Sequence, residues 1–305
     1  DARERLARLM KVQSKEIVFT SGGTESNNMA LIGGALANRR AGNKIITTSV
    51  EHASVGSTVD FLKDMGFEVV RIGVDSRGLI DEQQLIDAVD DDTIIVSVMY
   101  VNNEIGAVMP IQDLVKRVKE KNPSVLIHVD AIQAFGKYTI YPGRMGIDMM
   151  SISSHKFHGP KGVGALYIRD RVKVKPIIYG GGQQSGMRSG TENVPGIAGM
   201  VLAAEMTYND LDAKVEHMRQ LKGHLIGELT QIEDVYSNSG DAPHIASITF
   251  KGVRSEVMLH ALEERGVYVS SGSACSSNKH SVSSTLKSIG LPQEKLESTL
   301  RFSFS

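Results

Sequence analysis

The chain has 305 residues, 41% hydrophobic and 23% charged, with a formal net charge of −1, which describes an ordinary globular protein with room for a large core. The near-neutral balance, without a Lys/Arg block, argues against a nucleic-acid partner, and no run of about 18 apolar residues offers a membrane span. The single cysteine, Cys275, leaves no internal disulfide and fits a reducing compartment.

In chain order, DARERLARLM reads as a charged amphipathic helix with an abrupt start and no resemblance to a signal peptide. The strand EIVFT (16–20) then leads to a helix over 24–37. The strand KIITTS is followed by a helix over 54–65, and the strand EVVRIGV by the helix DEQQLIDAV. The strand TIIVSVMYV is followed by the helix PIQDLVKRVKEK and the strand VLIHVD. GIDMMSIS and GVGALYI read as buried strands on either side of Lys156. One long helix is expected over 206–229. ASITFKG, the helix SEVMLHALEERG and VYVSSGSACSS make a smaller α/β unit, and LRFSFS stops inside an expected strand, so the termini read as truncated. The β/α alternation with continuous apolar strands predicts a mainly parallel sheet covered on both faces, with ligands at the carboxyl ends of its strands. The boundary is expected in the long helix, giving a large domain over 1–209 and a small, incomplete one over 210–305.

Five polar clusters follow predicted strands. In TSGGTESNN the N–H groups of Gly23 and Thr24 at a helix start suit a phosphate, although a plain N-capped helix has the same look. SVEHAS places His52 after a strand, where a lone histidine is most often structural. In YVNNEIG, the residues Asn102, Asn103 and Glu104 read as a polar turn. HVDAIQ sets Asp130 at a strand end with Gln133 close behind; an acid there serves as a magnesium ligand, a partner for a buried cation, or an N-cap. The fifth is Lys156, an amine at the end of an apolar run. His155 and His158 lie across a Gly-Pro turn, which disfavours a metal site. An acid, a lysine and a phosphate-binding helix start on one sheet suit pyridoxal phosphate, which needs an imine-forming amine, a carboxylate for its ring nitrogen and an anion site.

Taken together, SGGTESNN, EHAS, VNNEIG, HVDAIQ, SSHKFHGPKGVGALYIR, GGGQQSGMRSGTEN, SSGSACSS and RFS closely resemble the NifS/IscS-like cysteine desulfurases, in family order from residue 16 to 303. The resemblance implies the aspartate aminotransferase fold of pyridoxal-phosphate enzymes, with a mainly parallel seven-stranded sheet in the large domain. It implies Lys156 as the imine-forming lysine and Cα base, in a desolvated setting that would lower its pKa. By the same match Asp130 pairs with the pyridinium nitrogen, Gln133 bonds the phenolic oxygen, and His52 stacks on the ring. Gly23, Thr24, Ser153 and His155 hold the phosphate, and Thr191 is supplied across a homodimer. Asn103 serves both cofactor and substrate, and Arg301 joins it in clamping the substrate carboxylate. Cys275 would take sulfur from L-cysteine as a persulfide, releasing alanine, and pass it to an iron–sulfur scaffold or a tRNA thiolation protein. The expected compartment is the cytoplasm, or the mitochondrial matrix in a eukaryote. Other readings are a selenocysteine lyase, another lyase or aminotransferase of the fold, and, in a different class, a non-catalytic scaffold relative.

Overall fold

The computed structural model describes residues 1–271 and 283–305 and divides into two compact units. The first comprises residues 1–72, 82–100 and 109–211, and the second residues 73–81, 101–108 and 212–305.

The first unit is built on a seven-stranded sheet: β1 (Ile17–Thr20), β2 (Lys44–Thr48), β3 (Glu68–Ile72), β4 (Thr93–Met99), β5 (Leu126–Asp130), β6 (Met149–Ser153) and β7 (Gly164–Ile168). The order is β1-β7-β6-β5-β4-β2-β3. The run from β6 to β3 is parallel, whereas β7 is antiparallel to both β6 and β1. Every residue of β4 and β6 is buried, as strands covered on both faces require. One core joins the sheet to the helix Ala53–Asp64, with Val55, Val59 and Leu62 packed around Ile45 and Ile95. Another sets Met29 and Ala30 against Val18, Met149 and Leu166. After β3 the chain returns to the far side of β2 to form β4, so the direction of strand addition reverses between β2 and β4. That is where ligands collect in open α/β sheets.

The expected helix over 24–37 begins one residue earlier, as Gly23–Asn28, and continues through a π-helical turn at Met29–Gly33 into Gly34–Asn38. The single long helix over 206–229 is not observed. Val194–Tyr208 and Leu211–Leu229 are separate helices, parted by Asn209 in extended geometry and Asp210 at φ 55°. Asn and Asp enter such conformations at little cost, which is why the chain breaks there.

The second unit carries an antiparallel sheet of β8 (Val235–Ser237), β9 (Ile245–Phe250), β10 (Ser270–Ser271) and β11 (Thr299–Ser303) in the order β10-β11-β9-β8. Segment 101–108 belongs to this unit because Ile105 and Ala107 pack against Leu286 and Ile289, and because Gly240 N–H donates to the Ile105 carbonyl at 2.7 Å.

Candidate active site

The carboxyl ends of β2, β4, β5 and β6 lie side by side in the sheet, and the polar residues that follow them form one network in the first unit. Asp130, the last residue of β5, is 4% exposed. Its Oδ1 accepts the Ile132 N–H at 3.0 Å and its Oδ2 accepts Asn27 Nδ2 at 2.8 Å. Burial raises the Asp130 pKa above the ordinary carboxylate value, while these two donors and the charges of His52 and Lys156 oppose the rise. Asp130 is thus a carboxylate whose ionisation calls for a cation beside it.

Lys156 is on the 3-10 turn Ser154–Phe157 that follows β6. Phe157 is fully buried and anchors the turn, its ring 5.1 Å from that of Phe135, and its carbonyl accepts the Thr207 hydroxyl. With Ser154 and Phe157 turned inward, His155 and Lys156 face outward and are exposed. The expectation that the chain desolvates Lys156 is therefore corrected: the polypeptide alone leaves it open to solvent, because the apolar anchor is its neighbour Phe157.

Gly23 starts the helix after β1, and the N–H groups of a first helical turn have no intrahelical acceptors. Gly22, at φ 151°, takes a conformation that favours glycine. Gly164 is also demanded by its neighbours, because a Cβ there would lie 2.7 Å from both Gly22 Cα and the Ile152 carbonyl oxygen. These glycines let the helix start approach the end of β6. Ser153 packs against Gly22 and Gly23, and its hydroxyl pairs with His155 Nδ1 at 2.9 Å. The His155 pKa is lowered, first by desolvation of the ring and then by the positive charges of Lys156 and Lys161, which favours the neutral imidazole. Gly23, Ser153 and His155 are thus brought together, and Thr24 follows on the same helix start.

His52 caps the helix Ala53–Asp64, its Nδ1 accepting the Ser54 N–H at 3.1 Å and pairing with Ser54 Oγ at 2.8 Å. Gln133 is half-buried in the turn after β5. Thr191 is exposed between Arg188, which holds Glu25 through a two-pronged ion pair, and the Asn193 cap of helix Val194–Tyr208. It joins no hydrogen bond of the network among the described residues.

In the second unit Arg301, on β11, donates to the Asn103 carbonyl at 2.8 Å and to Ser270 Oγ at 3.2 Å. Its Nε is sealed from solvent and has no hydrogen-bond partner among the described residues. Asn102 is structural, its Oδ1 accepting the N–H groups of Glu104 and Ile105. Glu104 bonds the hydroxyls of Ser283 and Thr285, and burial raises its pKa although these bonds and the charge of Arg301 pull it down. Cys275 lies outside the described residues.

Sequence reading missed Asn27, Ser54 and Glu51. Glu51 Oε1 accepts Thr48 Oγ1 at 2.8 Å and the Met99 N–H at 2.9 Å, tying β2 to β4, while Oε2 is sealed from solvent without a partner among the described residues. Burial pushes its pKa up to about 8, and the nearby Asp130 charge adds to the rise.

The family described as aminotransferase class-V matches residues 1–305. Among curated proteins, a cysteine desulfurase IscS of Dictyoglomus turgidum is 44% identical over 99% of this chain and 77% of the relative. One of Methanosarcina thermophila is 40% identical over 99% of this chain and 75% of the relative. Among solved structures, a NifS-like protein superposes with a TM-score of 0.93 at 37% identity, covering 99% of this chain and 80% of the other. SspA in complex with cysteine superposes with a TM-score of 0.85 at 36% identity, covering 99% and 85%.

Proposed function

The chain belongs to the class-V aminotransferase family and is a pyridoxal-phosphate-dependent cysteine desulfurase of the IscS/NifS type, and from that premise we propose which of its residues perform the reaction. The observation that carries the assignment is the pairing of Asp130 and Lys156 after adjacent parallel strands, beside the helix start of Gly23 and Thr24 with Ser153 and His155. These residues fit the cofactor. A carboxylate reluctant to ionise alone is matched by a pyridinium, an outward amine by an aldehyde, and a helix start with neutral donors by a phosphate.

When bound, pyridoxal phosphate supplies an electron sink that weakens the Cα–H and Cβ–S bonds of an attached amino acid. Asp130 would hold the ring nitrogen in its protonated form; two unit charges attract by roughly 4 kcal/mol at 4 Å with an effective dielectric of 20. Gln133 would bond the phenolic oxygen, and His52 would lie against the ring. Lys156 Nζ takes the proton from the substrate Cα. Asn103 and Arg301 hold the α-carboxylate of L-cysteine, for which a guanidinium offers a two-pronged clamp. The Cys275 thiolate attacks the substrate sulfur; a sulfur–sulfur bond forms as the carbon–sulfur bond breaks, the electron pair stays with the substrate carbon, and protonation of Cβ together with return of the proton from Lys156 to Cα gives L-alanine. A persulfide remains on Cys275 for an iron–sulfur scaffold or a tRNA thiolation protein.

We read the working form as a homodimer in the cytoplasm. Val194, Leu202 and Met206 are 64%, 52% and 64% exposed on a helix with apolar residues on all sides. Spaced eight and then four residues apart, they lie on one side of the helix, in a stripe that begins three residues after Thr191, so a second copy packed on that stripe would be positioned to receive Thr191. The assignment of Cys275 is tested by mass spectrometry after incubation with L-cysteine. The native chain should gain the mass of one sulfur on Cys275, and C275S should gain none and lose sulfur delivery. Sulfur delivery at full rate by C275S would overturn the assignment. The selenocysteine-lyase and scaffold readings find no support in relatives at 40% and 44% identity that are cysteine desulfurases.

A further inference from the structure

Asn27 is completely buried on the helix Gly23–Asn28 and is neither a packing residue nor a cap. Its Nδ2 makes two hydrogen bonds, to Asp130 Oδ2 at 2.8 Å and to Ser54 Oγ at 2.9 Å. The orientation of the amide follows from chemistry, since only the NH2 group can face a carboxylate. The direction of the chain beyond it follows as well. Because Nδ2 can only donate, Ser54 Oγ accepts from Asn27, and its one proton is directed to His52 Nδ1, 2.8 Å away. The Ser54 backbone N–H donates to the same nitrogen at 3.1 Å. In the neutral imidazole Nδ1 is therefore bare and the proton sits on Nε2, the nitrogen turned away from the helix cap. One residue thus links two groups that the reaction uses separately.

We propose that Asn27 is a positioning residue, which through its two amide hydrogens fixes the Asp130 carboxylate and the His52 imidazole in one register for the cofactor ring. The inference rests on the reading of Asp130 as the partner of the ring nitrogen. Asn is suited to this role in a way that its neighbours in size are not. Leucine would leave Asp130 Oδ2 and Ser54 Oγ without their donor, and aspartate would set a second carboxylate against the first. The titratable groups around Asp130 are Glu51 after β2, His52 at the head of its helix and Lys156 after β6. Asn27 is the neutral donor among them, so its bond to Asp130 does not alter the net charge offered to the ring.

The test compares N27L, S54A and D130A with the native chain, first without cofactor and then by titration with pyridoxal phosphate. In the apo protein, carboxyl NMR of Asp130 and nitrogen NMR of the His52 ring are recorded. N27L should raise the pH at which Asp130 ionises and should also shift the His52 Nδ1 signal. S54A should shift the His52 signal alone. Pyridoxal phosphate affinity should fall about tenfold or more in N27L, the change expected when a hydrogen bond to a charged group is lost. Should N27L fail to fold by circular dichroism, N27S removes the same two bonds with less bulk. Unmoved NMR signals and an affinity within twofold of native in the folded variant would overturn the proposal. D130A separates the two layers of reasoning. Full affinity in D130A would remove the underlying reading of Asp130, whereas a weakened D130A beside an unaffected N27L would remove only the role of Asn27.

Discussion

Replacing Glu51 with glutamine isolates the electrostatic strain that the network places on the fold. The outer part of Glu51 is partly exposed, but Oε2 is sealed from solvent, so desolvation of the carboxyl governs its ionisation. With its pKa raised from 4.5 to about 8, the folded chain keeps a proton on Glu51 that the unfolded chain has already released. Between those two pH values the native state binds more protons than the unfolded state, so stability falls as pH rises through the window, and the loss is complete above about 8. At 1.36 kcal/mol per pH unit the upper bound is about 5 kcal/mol, and relaxation around the charge brings the expected value to about 2–4 kcal/mol. Glutamine has nearly the same shape, keeps an acceptor for Thr48 and Met99, and carries no charge toward Asp130. Urea unfolding of apo E51Q and native chain should therefore give similar midpoints at pH 4.5, with E51Q the more stable by that amount at pH 8.5. Parallel stability curves for the two proteins across this range would refute the reasoning, because they would mean that Glu51 ionises alike folded and unfolded.

K156A should fold with an unchanged circular dichroism spectrum yet lack the visible-edge absorbance that pyridoxal phosphate gives with the native chain; retention of the band would exclude Lys156 as the attachment point. G164A should lower stability by about 1–3 kcal/mol, because the new methyl meets backbone at 2.7 Å on two sides rather than a side chain that could turn away. It should also weaken phosphate binding by pushing the helix start from β6, as measured by thermal unfolding with and without cofactor. Charging the exposed stripe with L202E and M206E together should convert a dimer to a monomer in sedimentation equilibrium, while the substitution of one exposed residue elsewhere, K116E, should not.

The parallel strands were legible because a strand covered on both faces needs no polar alternation. TIIVSVM and MMSIS are buried at every position, and the periodicity of the flanking helices supplied the rest. The sense of β7 had a signal too. Only residues 154–163 separate β6 from β7, fewer than a crossover connection needs, so the pair had to be antiparallel. Segments 73–81 and 101–108 had none, since their place in the second unit depends on contacts such as Ile105 with Leu286, far away in sequence. The break at Asn209 and Asp210 was hidden for a different reason: helical segments lie directly on either side, and only the backbone angles of these two residues divide them.

The candidate site divides along the same line between what charge makes visible and what geometry alone can show. Asp130 and Lys156 stand out because an ionisable group beside an apolar strand conflicts with the hydrophobic pattern, and such conflicts gather at functional sites. Glu51, Asn27 and Ser54 produce no such conflict: each is a small step in an ordinary polar turn or helix start, and each has a bland explanation as a cap. Only the distances separate a cap from a link, as with Ser54 Oγ, which lies within 2.9 Å of both Asn27 Nδ2 and His52 Nδ1. Lys156 shows the opposite error. The family resemblance implied a desolvated lysine, but a 3-10 turn sends adjacent residues in different directions, and it is Phe157 that the core receives. An open lysine beside a buried acid is the arrangement a covalently held cofactor requires. The amine must meet an aldehyde arriving from solvent, while the carboxylate gains most from a cation where water is already excluded.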